Sequence, residues 1–243
     1  MQRVSRILHL LEEMYYLKVS NYVNFIPQSN AKTEKYMKLF YSPGASSLSP
    51  HIVAREAGID LKLQKVDIAT KTMKVDGDFW KVNPKGYEPA LELDNGEILT
   101  EGAVIVQYLA DLTPKSKLAP QNGTWERTRV QEMLNYIGTE IHKTFSPLWN
   151  SKVSTEVRKE RTDILNRHYA LLDKQLAGKK FLFGDQFTIA DAYLFVVTNW
   201  AKSTKVDLSE FTHIEAFQTR VAARPAVVAA MTAEGLIPAV KAA

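Results

Sequence analysis

Apolar positions over residues 37–110 fall into short runs with two alternating periods. Lys38-Leu39-Phe40-Tyr41 reads as a strand, and Ser42-Pro43-Gly44 as the turn that ends it. Ile52, Val53 and Ala57 then take helical spacing up to Gly58. Ser47 or Ser49 is placed to cap that helix, and Pro50 suits its first turn. Leu61, Leu63, Lys65 and Val66 return to strand, which completes a βαβ unit. Lys71 to Asn83 is polar except for Phe79-Trp80 and reads as an irregular connection with one helical turn. Pro89 opens the next strand, where its missing N–H costs no ladder bond. Asn95-Gly96, between two half-apolar runs, predicts a two-residue hairpin because both residues tolerate positive φ. After Thr100 the spacing of Val104, Ile105, Tyr108 and Leu109 is helical. Thr100 is placed to cap this helix, and Glu101 sits where the helix dipole favours negative charge.

Beyond Pro114 the stretch from Lys115 to Gly123 is turn-rich, and the chain after it is helical throughout. Met133, Leu134, Ile137 and Ile141 share one side of a long helix. Asn135, Thr139 and His142 fall at i, i+4 and i+7 on a neighbouring face, with Lys143 one residue on. Thr188-Ile189-Ala190-Asp191 has capping-box spacing, so Thr188 and Asp191 have structural roles, with the carboxylate reaching back to the cap N–H. The run Tyr193 to Val197 predicts a buried helix, with Trp200 in the core or beside a cleft, and Arg224-Pro225 starts a last helix that runs to about Glu234-Gly235. The order β-α-β-α-β-β-α, with helices alone after it, predicts a thioredoxin-like α/β domain over 37–115. A linker over 116–122 and an all-α helical-bundle domain over 123–243 complete it. Residues 1–36 carry an amphipathic pattern at Ile7, Leu8, Leu10, Leu11, Met14 and Tyr15, but Glu12 and Glu13 interrupt it and argue against a signal peptide. This stretch reads as an N-terminal extension, poorly ordered or a short helix.

Composition narrows the chemistry. The chain has 243 residues, 45% hydrophobic and 24% charged, as expected of a globular protein with one large or two small domains. A net charge of +4, with no cluster of Lys and Arg interleaved with aromatics, gives no reason to expect nucleic acid. No apolar run approaches the roughly 18 residues that span a membrane, so a cytoplasmic location is expected. The absence of cysteine excludes disulfides, thiolate metal sites and any protein-thiol nucleophile. The five histidines are scattered without ligand spacing, and no metal is expected.

Three separated motifs carry a family resemblance. Lys38-Leu39-Phe40-Tyr41-Ser42-Pro43-Gly44-Ala45, Asn83-Pro84-Lys85-Gly86, and Leu99-Thr100-Glu101-Gly102 with Gln107-Tyr108-Leu109-Ala110-Asp111 resemble the bacterial, beta-class glutathione S-transferases, from Met37 to the C-terminus. The resemblance implies that Pro89 is a cis-proline and that the backbone of Glu88 bonds the cysteinyl unit of glutathione. It implies that Glu101 and Gly102 hold the γ-glutamyl end and that Lys71 meets the glycyl carboxylate. Asn135, His142 and Lys143 would face the active-site cleft, and the protein would be a homodimer. Two positions depart from the family pattern: Ser46 stands where the family has cysteine, and Glu88, preceded by Tyr87, stands where valine is usual. A carboxylate there is expected to weaken binding of an anionic tripeptide unless it points to water.

Glutathione as co-substrate makes the thiolate the nucleophile. A free thiol titrates near 8.5, and lowering that by about 2 units requires about 2.7 kcal/mol of preferential interaction with the anion. Ser46 or Ser47, at the start of the first helix, can donate to the sulfur, and Tyr41 is another candidate donor. His142 can donate a further bond or act as a base. Without a cysteine, conjugation to small hydrophobic electrophiles is expected rather than thiol–disulfide exchange. The rival reading is a non-catalytic binding or interaction protein of the same fold.

Overall fold

In the computed structural model, which describes residues 36–74 and 77–238, alternation within strand β1 (Lys38–Tyr41) builds two cores at once. Leu39 packs into the large core, while Phe40 turns to the opposite face and joins Val66, Met73, Phe79 and Ala90 in a small one. β1 runs parallel to β2 (Lys62–Asp67) and antiparallel to β5 (Ala90–Glu92). β5 in turn pairs antiparallel with β6 (Ile98–Thr100). Helix α1 (Leu48–Ala57) makes the crossover between the parallel strands and ends at Gly58, whose φ of 69° is the left-handed stop expected there. Helix α2 (Gly102–Leu112) comes after β6. The extension expected over 1–36 lies, apart from Tyr36, outside the described residues.

The structure corrects four details of the expected elements. The segment after Lys71 is not wholly irregular: β3 (Thr72–Met73) and β4 (Gly77–Asp78) extend the sheet to the order β4-β3-β2-β1-β5-β6, with a 3₁₀ turn at Phe79–Lys81 after them. Strands this short show no period in sequence. The hairpin is wider than two residues, because Leu93 donates to the Glu97 carbonyl at 2.8 Å and leaves Asp94-Asn95-Gly96 as the loop. Only Gly96 of the Asn-Gly pair has positive φ; the Asn95 side chain accepts from the Glu97 N–H at 3.0 Å and holds the wider turn. Thr100 does not cap α2: Glu101 is the N-cap residue at φ 70°, and the Thr100 hydroxyl instead accepts from Lys85 at 3.0 Å. Neither serine caps α1 with its side chain. The Ser47 hydroxyl turns back to Ser42, accepting from its N–H at 3.1 Å and donating to its carbonyl at 3.2 Å, and Ser49 donates to the Ser46 carbonyl.

The helical part is arranged around α5 (Ile189–Thr204), with all but three of its residues buried. Its capping box is the one expected. One Asp191 carboxylate oxygen accepts from the Thr188 N–H at 2.8 Å and the Thr188 hydroxyl at 2.7 Å, and the other accepts from the Leu182 N–H at 2.8 Å. α1 and α6 (Thr212–Ala222) pack against it, α4 (Thr155–Leu176) packs on α6, and α7 (Pro225–Ala233) packs on α1. α3 (Trp125–Tyr136) continues through a π-helical turn at Ile137–His142 into a last turn at Lys143–Phe145. Leu39, Leu91, Ile105, Leu134, Phe195 and Trp200 belong to one continuous core, so sheet and helices share their packing. None of the helices among the described residues is long and apolar enough to cross a membrane.

Candidate active site

Two cavities open between the sheet edge and the helices, and they share a wall. The first, about 570 Å³, is lined from the sheet side by Lys85, Pro89, Glu101 and Gly102 and from the helical side by Asn135, Thr139, Lys143 and Tyr193. The second, about 550 Å³, lies between Pro43-Gly44, Lys71, Ser146, Trp149 and Trp200. Ser46, Tyr87, Glu88 and His142 line both. A group held in one cavity meets a group held in the other at these four residues.

The loop before α1 is pinned from two directions. Trp200 donates its indole N–H to the Gly44 carbonyl at 2.9 Å, and the Gly44 N–H donates to Glu234 at 2.9 Å. The other Glu234 oxygen lies 2.9 Å from Nδ1 of His51, and both side chains are buried. Gly44 itself sits at φ 71°, which a residue with a side chain rarely adopts. Ser46 is therefore set at the helix N-terminus with little freedom. Its hydroxyl makes one long bond, 3.4 Å to the Glu88 carbonyl, and remains open to both cavities. The Ser47 hydroxyl is spent inside the protein and lines neither cavity, which leaves Ser46 as the serine available to a ligand. Tyr41 also lines neither cavity; burial and the charge of Glu234 push its phenol above the ordinary value.

Glu88 is joined to Pro89 by a cis peptide, and its half-buried side chain turns toward the start of α1. One oxygen accepts from the Ser47 N–H at 3.3 Å, at the positive end of α1. Dense protein around the carboxyl pushes its pKa up to about 7, although the neighbouring Ser47 opposes the shift; Glu234 adds to it and Lys71 opposes it. His142 moves the other way. Burial, helped by Lys143, lowers it to about 4, so the ring is neutral at neutral pH. Its Nδ1 lies 2.7 Å from the Tyr193 hydroxyl, which burial keeps protonated. With that hydroxyl donating, the ring proton resides on Nε2; with Nδ1 protonated, the ring donates to Tyr193 instead.

The remaining expected residues divide between the cavities. Glu101, Gly102, Pro89, Asn135 and Lys143 line the first, and Lys71 lines the second. The ammonium groups of Lys71 and Lys143 lie 5.8 and 5.6 Å from the centre of the Tyr87 ring. Glu101 already holds a cation, with Lys85 2.7 Å away at an exposed position. Lys85 was legible as part of Asn83-Pro84-Lys85-Gly86 but carried no role in sequence; the buried His51–Glu234 pair, 183 residues apart in the chain, left no sequence signal at all. Among the described residues there is no group of three or more His, Asp or Glu suited to a metal.

Family models for the glutathione S-transferase N-terminal domain and C-terminal domain match residues 46–112 and 136–225. Glutathione S-transferase GstA of Escherichia coli is 44% identical over 200 residues, covering 82% of this chain and all of that protein. Among solved structures, a glutathione transferase from Methylococcus capsulatus is 52% identical with a TM-score of 0.81, covering 83% of this chain and all of that one. A sphingomonad glutathione S-transferase solved in complex with glutathione is 44% identical with a TM-score of 0.79, covering 82% of this chain and all of that one.

Proposed function

Because the chain belongs to the glutathione S-transferase family, we propose that it conjugates glutathione to small hydrophobic electrophiles, with the tripeptide in the first cavity and the electrophile in the second. The observation that carries this reading is the shared wall: a two-substrate reaction needs a junction, and Ser46 presents an open hydroxyl there at a helix N-terminus. The Ser46 hydroxyl and the amides of α1 stabilise the thiolate, and neutral His142 supplies a further donor. The thiolate attacks the electrophilic carbon, the C–S bond forms, and the leaving group departs with its electron pair.

The tripeptide is anchored at its ends. Glu101 accepts from the γ-glutamyl ammonium, exchanging Lys85 for the ligand, while the first amides of α2 at Gly102 meet the neighbouring carboxylate. The backbone of Glu88, before cis-Pro89, bonds the cysteinyl unit, Lys143, Asn135 and Tyr87 frame the first cavity around it, and the glycyl end reaches past Tyr87 at the shared wall to Lys71. The apolar walls of the second cavity, Trp149 and Trp200 foremost, favour aromatic or aliphatic electrophiles. The class is beta, the location cytoplasmic and the working form a homodimer, for which exposed Ile98, Val104 and Leu112 offer apolar surface. A monomer mass by light scattering would oppose the dimer.

Calorimetric titration with glutathione, and then conjugation of chlorodinitrobenzene, tests the main reading. Binding with turnover is expected, and Ser46→Ala should lower kcat/KM about tenfold or more, the loss of one hydrogen-bond donor to developing charge. Wild-type protein that neither binds glutathione nor turns over would remove it.

A further inference from the structure

Anchoring of the tripeptide and stabilisation of its sulfur leave the Glu88 side chain without a purpose. Glu88 lines both cavities, with one carboxylate oxygen held by the Ser47 N–H and its backbone carbonyl receiving the Ser46 hydroxyl. The groups that surround it come from every neighbouring element. Ser47 faces it from the N-cap of α1, Lys71 from the turn after β2 and Glu234 from the end of α7; His142 from the π-helical turn, Lys143 from the helical turn after it, and Lys85, Tyr87, Glu101 and Tyr193 line the same space. We propose that Glu88 is the base of the conjugation reaction, taking the proton of the glutathione thiol at the junction of the two cavities. This rests on the transferase reading, since the proton donor is glutathione itself.

The shared wall offers few alternatives. The Ser46 hydroxyl is a donor and no base near neutral pH. Neutral His142 has Nδ1 engaged by Tyr193, and its conjugate acid is held near pH 4. Transfer from a thiol of pKa near 8.5 to such a ring is uphill by about 30,000-fold, whereas transfer to a carboxylate with a pKa of about 7 is uphill by only about 30-fold, before any donor stabilises the sulfur. The α1 dipole and Ser46 close that remaining gap.

Charge balance explains how a carboxylate can serve beside a thiolate. The S–H bond breaks, the electron pair stays on sulfur, and the proton moves to Glu88. One negative charge is present before the step and one after it, so the two anions do not coexist. Carboxyl and thiol behave as a coupled pair that loses its first proton together. The thiolate then forms the C–S bond as the leaving group departs as an anion, and the Glu88 proton goes to solvent.

The test compares wild type and Glu88→Gln with glutathione and chlorodinitrobenzene. The wild-type kcat/KM profile should rise through an ionisation near pH 7. In Glu88→Gln the carboxyl's share of that inflection should be lost, leaving the titration of the bound thiol alone, and the rate at pH 7 should fall tenfold or more, while the glutathione Kd by calorimetry changes less than threefold. An unchanged profile and rate would overturn the proposal. So would a faster variant with a more acidic bound thiol, since the carboxylate would then be opposing the thiolate. Failure of wild type to bind glutathione would remove the transferase reading instead. Should Glu88→Gln not fold, infrared difference spectra of wild type mixed with glutathione decide the point: a new protonated-carboxyl band supports proton transfer, and its absence overturns it.

Discussion

Gly86 sits at φ 69° with its α-carbon directly under the Trp80 ring, where a methyl group would overlap the indole. Two separate costs are combined there: backbone strain, which any side chain incurs, and a clash, which an exposed ring can relieve by moving. Gly86→Ala should therefore destabilise by about 1–3 kcal/mol in denaturant unfolding, and adding Trp80→Ala should recover only part of that. Full recovery would mean that the backbone carries no strain. At the same scale, local and distant determinants of the site separate. Pro89 and Gly102 were legible in the sequence because their chemistry is local. Glu88 was legible as an oddity, yet the direction of its carboxylate, inward onto the Ser47 amide, depends on an element 41 residues away in the chain. Ser46 and Ser47 were indistinguishable in sequence and are separated only by which hydroxyl the turn at Ser42 consumes.

Among elements, α5 bears the clearest relation between pattern and packing. Its Thr-x-x-Asp start announces a cap, and the uninterrupted apolar run behind it announces burial. The Asp191 carboxylate does more than a cap requires, because it also accepts from Leu182 and thereby ties the preceding loop to the helix. Thr188→Ala should cost about 1 kcal/mol, and Asp191→Ala about 2–4 kcal/mol because two buried N–H groups lose their acceptor. Equal costs, measured by chemical denaturation, would contradict that division. Elements shorter than one period escaped the sequence pattern. β3 and β4 are two residues each, and the Asp94-Asn95-Gly96 loop differs from the expected turn by one residue of width and by the sign of φ at Asn95. The π-helical turn at Ile137–His142 was also hidden, since it changes the helix without changing the residue types. Asn135, Thr139 and His142 still reach one cavity across it.

At the level of the molecule, the fold brings a helix N-terminus from the sheet and a π-helical turn from the bundle to the same junction. The contacts that hold this register are distant in sequence: Trp200 to Gly44, Glu234 to Gly44 and His51, and Arg224 to Glu56. No spacing rule reports them, whereas the order of elements and the family motifs were readable because each is local and repeated in chain order. In the proposed reaction these contacts hold the junction where a borrowed thiol ionises beside Ser46. Ultraviolet titration of the glutathione thiolate in its complex with wild-type protein measures that ionisation without relying on any electrophile. Half-ionisation is expected about 2 units below the free value near 8.5; a bound thiol that titrates as it does in buffer would contradict the proposed stabilisation.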